Sequence, residues 1–162
     1  MQLDADKLVD VLAEKIGVLP RETALIGIHT GGVWVARSLR EKLGNAHEIG
    51  NIAVTLHRDD FGARGLHPLK KTSDIGFSVE GRNIVLIDDV ISSGRTVRAA
   101  LNELFDFGRP ASVKLAVLVD RGGREMPFAP DYVAMTMALS ADQELVLTDD
   151  YNRLRFDLRD HQ

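Results

Sequence analysis

An apolar run ends in two aspartates and passes through a turn of small residues into an amphipathic helix, VLIDDVISSGRTV at residues 85–97, and this segment limits the fold more than any other. A buried strand feeding straight into a helix is the repeating half of an α/β fold, so strands and helices should alternate on either side of it. They do. Residues 4–16 predict a helix, with Leu8, Leu12 and Ile16 at helical spacing, Asp4 as its cap and Gly17 as its stop. Residues 24–28, ALIGI, predict a buried strand, and 32–43 a helix whose Val33, Val35, Ala36, Leu39 and Leu43 share a face, ended by Gly44. Strands are expected at 49–57, 83–87, 112–119, 144–147 and 154–158, and a helix at 94–107 with Val97, Ala100, Leu101 and Leu104 inward. The expected fold is a mainly parallel sheet flanked by helices, with ligands gathering after the carboxyl ends of the strands at Ile28, His57, Ile87 and Val119. Between strands, residues 59–78 lack periodicity and are rich in Gly, Lys, Arg and Asp, a length and composition that predict a flexible lid.

Composition narrows the function. With 162 residues the whole chain, 1–162, reads as a single domain with its own core. The chain holds no cysteine, which excludes disulfides, a thiolate nucleophile and cysteine-ligated zinc. His47, His67 and His161 have no ligand spacing. No apolar stretch reaches the length of about 18 residues that a membrane span needs, and the acidic start, MQLDADKLVD, resembles no targeting segment, so a cytoplasmic location is expected. A net charge of −4 argues against broad nucleic-acid binding.

The chemistry of DDVISSGRT follows from its parts. Backbone N–H groups of the turn and of the helix start can cradle a phosphate. Ser92, Ser93 and Thr96 add hydroxyls, Arg95 adds a positive charge, and Gly94 lets the backbone approach without a Cβ. Asp88 and Asp89 suit the vicinal hydroxyls of a ribose, directly or through Mg²⁺ and its waters. A second strand–helix junction, His29-Thr30-Gly31-Gly32, can also present N–H groups to an anion. Taken alone, an Asp-Asp or a Ser-Gly is more often a plain strand end or helix cap, and His29-Thr30-Gly31-Gly32 fits a simple helix-start loop as well as an anion site.

All thirteen positions of 85–97 together resemble the phosphoribosyl pyrophosphate (PRPP) motif of type I phosphoribosyltransferases. Four further blocks, IGIHTGGVWVARSL at 26–39, VTLHRDD at 54–60, TVRAALNELFDFGRPASVKLAVLVDRGGREMP at 96–127 and DYVAM at 131–135, are similar to the PyrR family, pyrimidine operon regulators that are also uracil phosphoribosyltransferases. The resemblance implies the type I phosphoribosyltransferase fold and the reaction of PRPP with uracil to give UMP and pyrophosphate, with Mg²⁺ accompanying PRPP. It assigns the ribose and metal to Asp88 and Asp89, and the 5′-phosphate to Ser92, Ser93, Gly94, Arg95 and Thr96. The pyrophosphate falls to His29, Thr30, Gly31, Gly32 and Arg58. The lid falls to Asp59, Asp60, Arg64, Lys70 and Lys71. The base falls to main-chain groups around Val119, Asp120, Arg121 and Gly122 and around Met137 and Leu139.

Two departures stand out: Gly31 where the family pattern has Arg, and Gly123 where it often has His. Hypoxanthine-type enzymes place an Asp where Ser92 stands, which favours a pyrimidine base. The resemblance also implies a homodimer or a dimer-based tetramer and a pyrimidine-gene leader RNA as a further partner. Dimerisation would have to gather Arg37, Arg40, Lys42, Arg98 and Arg109 on one concave face for that RNA; spacing alone reads them as solvated helix charges. The alternatives are an RNA-binding nucleotide sensor with little catalysis and a purine-type phosphoribosyltransferase.

Overall fold

The computed structural model describes residues 2–54 and 72–161. The chain runs β1 (Gln2–Asp4), α1 (Ala5–Ile16), β2 (Ala24–Ile28), α2 (Gly31–Leu43), β3 (Ile49–Ile52), β4 (Asn83–Ile91), α3 (Arg95–Phe105), β5 (Ser112–Asp120), β6 (Tyr132–Thr136), β7 (Gln143–Asp150) and β8 (Arg153–Asp160). Five strands form one parallel sheet in the order β3-β2-β4-β5-β6. The strand order reverses between β2 and β4: the chain leaves β2 toward β3 on one side, and leaves β4 toward β5 and β6 on the other. A crevice opens outside the strand ends at such a switch point.

Period-two alternation along the strands builds two cores, one on each face of the sheet. Leu25, Val85, Ile87, Ala116 and Leu118 face α1 and α2, packing on Ala5, Val9, Leu12, Val35, Ala36 and Leu39. Ile26, Ile28, Leu86 and Val117 face α3, packing on Val97, Ala99, Ala100 and Leu104. The α1 stripe is therefore Ala5-Val9-Leu12-Ile16, with Leu8 at its edge rather than at its centre. Asp4 caps α1 as expected, its side chain accepting from the Lys7 N–H at 3.3 Å. Trp34 is half-buried against the same core, and His47 is buried with Nδ1 at 2.8 Å from the Thr23 carbonyl.

A second sheet of three antiparallel strands, β1-β8-β7, packs on the α1 side through Leu145, Leu147, Leu154 and Phe156. Phe156 is fully buried, a contribution of about 1.5–3 kcal/mol for a side chain of its size. The tail strands run well past the expected 144–147 and 154–158 because each extends the other's ladder from Gln143↔Asp160 to Asp150↔Arg153.

Three other boundaries move. The strand expected at 49–57 ends at Ile52, and residues 55–57 lie outside the described residues. The one expected at 83–87 continues to Ile91 because β5 pairs with it through Ile91↔Asp120. Asp88 and Asp89 thus lie within β4 instead of closing it. The helix expected at 94–107 is shorter, with Gly94 as its N-cap and Asp106 as its C-cap.

Candidate functional site

The loops that the sequence singled out converge because parallel strands end on the same edge of the sheet. Ile28 is paired with Ile52, Gly27 with Ile87, and Ile91 with Asp120. The loops after β2, β4 and β5 therefore stand side by side, with the one after β4 in the middle.

The loop after β2 begins with a cis peptide between His29 and Thr30. His29 is fixed at both ends: its backbone N–H donates to the Ile52 carbonyl at 2.8 Å and its Nε2 to Asn51 Oδ1 at 2.9 Å. Asn51 in turn exchanges two backbone hydrogen bonds with Asp74, at 2.9 and 3.0 Å, and the Ala53 N–H donates to Ser73 Oγ at 3.0 Å. The loop after β2 and the segment returning to β4 are thus braced against the same strand. The proposed contacts Arg58, Asp59, Asp60, Arg64, Lys70 and Lys71 lie outside the described residues.

Three glycines let α2 start against β2 and β4. A Cβ on Gly27 would lie 2.5 Å from the Gly32 carbonyl oxygen, and one on Gly32 would run into that of Ile87. At Gly31 the obstacle is a side chain: a Cβ would run into Asp89 Oδ2. The departure from the family pattern at Gly31 therefore coincides with an Asp89 carboxylate resting in the space that any larger residue would take.

Asp89 lies beside Gly31 at the start of α2, and Asp88 is buried. Each has one oxygen oriented by the following backbone N–H: Asp88 Oδ1 accepts from Asp89 at 2.9 Å and Asp89 Oδ1 from Val90 at 2.8 Å. Among the described residues no group of three His, Asp or Glu gathers. This donor set fits Mg²⁺, which keeps several waters and completes its shell with substrate oxygens rather than with an all-protein cage.

Beyond Ile91 the turn Ser92-Ser93-Gly94 leads into α3. Ser93 Oγ accepts from the Arg95 N–H at 3.2 Å, a helix-start bond, and Gly94 adopts φ +89. A Cβ on Gly94 would meet Met126 Cβ at 3.2 Å. The glycine is needed for its left-handed backbone and for the loop packed behind it.

The loop after β5 is held from within. Burial pushes the Asp120 carboxyl up, but hydrogen bonds from Arg124 and from the Gly122 N–H, together with the Arg124 charge, more than reverse this and hold it below the usual carboxylate range. Arg121 reaches away, donating to the carbonyls of Gln143 at 2.9 Å and Ser140 at 3.0 Å, which fixes the segment containing Met137 and Leu139. The N–H groups of Arg121, Gly122 and Met137 donate to Ile91 O, Asp120 Oδ1 and Asp120 O at 3.1, 2.9 and 2.9 Å. They hold the shape of the loop after β5. Met137 and Leu139 are half-buried against the α1–α2 core. Gly123 has φ +80, and a Cβ there would lie 3.3 Å from Ser92 Oγ.

Arg124 is not among the residues that the sequence singles out. Its three donor groups reach the Phe128 carbonyl, the Ser92 carbonyl and Asp120 Oδ2 at 2.8, 2.8 and 2.5 Å. Composition and periodicity carry no signal for this, since the partners come from two different loops.

The comparisons with known proteins agree with this geometry. Residues 4–147 match the family described as phosphoribosyl transferase domain. A bifunctional protein PyrR of Pseudomonas aeruginosa is 50% identical over 136 residues, which cover 84% of this chain and 78% of the relative. That of Ralstonia nicotianae is 48% identical over 151 residues, covering 90% of this chain and 86% of the relative. Among solved structures, a hypoxanthine-guanine phosphoribosyltransferase from Bacillus anthracis aligns with a TM-score of 0.71 over 98% of this chain and 96% of its own, at 19% identity, a likeness of fold.

Proposed function

The chain belongs to the PyrR family of phosphoribosyl transferase domains, and from that premise we propose that it transfers the phosphoribosyl group of PRPP to uracil, giving UMP and pyrophosphate, and regulates pyrimidine genes. The observation that carries the catalytic half is the convergence of three loops on one sheet edge, the middle one following Asp88 and Asp89 in β4, with Asp89 beside Gly31 of the first.

In the reaction a bond forms between N1 of uracil and C1′ of the ribose as the bond from C1′ to pyrophosphate breaks, and the N1 proton is lost. Backbone N–H groups of residues 92–96 and the hydroxyls of Ser92, Ser93 and Thr96 hold the 5′-phosphate. Asp88 and Asp89 hold the ribose hydroxyls. The loop His29-Thr30-Gly31-Gly32 receives the pyrophosphate. Main-chain groups of Val119–Gly122 and Met137–Leu139 frame the base. Mg²⁺, when bound with PRPP, neutralises pyrophosphate charge, and Asp88 and Asp89 would hold it mainly through water. The protein's own work is positioning and stabilisation of charge on a sugar carbon that becomes oxocarbenium-like.

Uracil is favoured over a 6-oxopurine because Ser92 occupies the place of the acid found in hypoxanthine-type enzymes, and its carbonyl is engaged by Arg124. The test is pyrophosphate release by purified protein with Mg²⁺, PRPP and a panel of bases. Uracil should give the fastest turnover. A faster rate with hypoxanthine or guanine would overturn the assignment of the base.

A further inference from the structure

Past the pair Ile91↔Asp120 no strand ladder among the described residues joins the loop after β4 to the loop after β5. Side chains and loop backbone take over. The Arg124 guanidinium, three-quarters buried, uses all three of its nitrogens: Nη1 donates to the Ser92 carbonyl, Nε to the Phe128 carbonyl and Nη2 to the Asp120 carboxylate. One group thereby ties the phosphate turn to both the first and the last part of the base-side loop. Two backbone bonds reinforce the join, with the N–H groups of Glu125 and Met126 both donating to the Ser93 carbonyl at 2.9 Å. These two hold the phosphate turn to the far part of the loop. Arg124 is the group that also reaches back to Asp120, at the base-side end of β5.

We propose that Arg124 is a positioning residue that couples the base side of the site to the phosphate side, holding the Asp120 carboxylate and the loop from there to Phe128 against the turn at Ser92. This rests on the reading of the two loops as base and phosphate subsites. The planar fork is essential to the role. Three acceptors lie in three directions around one group, an arrangement that suits guanidinium and that a lysine ammonium on a flexible stem does not reproduce. Without the fork, the bonds from Glu125 and Met126 still hold the turn around Ser93, so phosphate binding survives, while the Asp120 carboxylate and the Phe128 carbonyl lose their shared tie to the Ser92 carbonyl; the Asp120 backbone stays paired with β4 and β6.

The test is calorimetric titration of wild type, Arg124→Lys and Arg124→Ala with two ligands: ribose 5-phosphate, and the 5′-mononucleotide of whichever base the wild type uses. Melting curves of each variant accompany the titrations. The expected result is a loss of about tenfold in nucleotide affinity for both variants, in the range usual for coupled sites, with ribose 5-phosphate affinity changed less than about twofold. An equal loss for both ligands, or an unchanged nucleotide affinity, would overturn the role of Arg124. If the wild type prefers a base other than uracil, the functional reading is corrected and the Arg124 test proceeds with that nucleotide. A wild type that binds ribose 5-phosphate but no mononucleotide would overturn both.

Discussion

Gly31 and Gly32 are neighbours at the start of α2, yet an added methyl group meets a different obstacle at each. At Gly32 the obstacle is the Ile87 carbonyl oxygen, backbone at the centre of the sheet. At Gly31 it is the tip of the Asp89 side chain, which can rotate away. Gly32→Ala should therefore destabilise the fold by about 1–3 kcal/mol, the usual cost of overpacking. Gly31→Ala should leave the melting temperature almost unchanged while displacing Asp89 and raising the KM for PRPP about tenfold or more. Thermal denaturation and steady-state kinetics on the two variants decide it: a Gly31→Ala protein with normal KM would mean that the position of Asp89 is not needed for PRPP. The motif containing Asp88, Asp89 and Gly94 was legible because its parts are adjacent in the chain and each part has a local chemical reason. The contact between Gly31 and Asp89 was not legible, because it joins residues 58 positions apart.

Elements were read best where burial is two-sided. β2 is buried at all five residues, and its continuous apolar run marked it without ambiguity. β1 and β6 were missed for opposite reasons. β1 has three residues and exists through pairing with β8, Gln2↔Asp157 to Asp4↔Arg155. β6 lies at the sheet edge with every residue partly exposed, so YVAMT lacks a continuous buried signature. The hairpin between β7 and β8 is sharper in the structure than in the sequence. Its two-residue loop, Tyr151-Asn152, has φ +50 and +63, the left-handed pair that a tight hairpin turn requires. Asn is at ease there; Tyr is not, and it is almost fully exposed, so it recovers nothing by packing. Tyr151→Asn should raise stability by about 0.5–1 kcal/mol, roughly 1–4 °C in melting temperature for a chain of this size. A lower melting temperature would show that the Tyr151 conformation costs nothing in place.

On the scale of the whole molecule, the sheet separates charges that the sequence could only list together. Arg37, Arg40 and Lys42 belong to α2, on one face; Arg98 belongs to α3 and Arg109 follows it, on the other. One copy of the chain cannot offer all five on one concave surface, so an RNA partner must meet one face of each copy. The faces are unequal. Arg37 and Lys42 are exposed on the α2 side as Arg98 and Arg109 are on the other, but Lys42 is paired with Asp10 at 2.5 Å and Arg40 is only half-exposed. With a net charge of −4 there is no global attraction to supply the rest. If the regulatory half of the proposed function holds, a pyrimidine-gene leader RNA should bind more tightly than a scrambled RNA at physiological salt and respond to uridine nucleotides. Charge reversal at Arg98 and Arg109 should then weaken it more than reversal at Arg37 and Lys42. Removing one cation from a backbone phosphate should also flatten the dependence of log affinity on log salt by about 0.7. Filter binding over a salt series measures all of this. Equal effects from the two faces would overturn the α3-side assignment. Equal, weak binding of leader and scrambled RNA would remove the regulatory role and leave the transferase, whose loops lie on the sheet edge and need neither face.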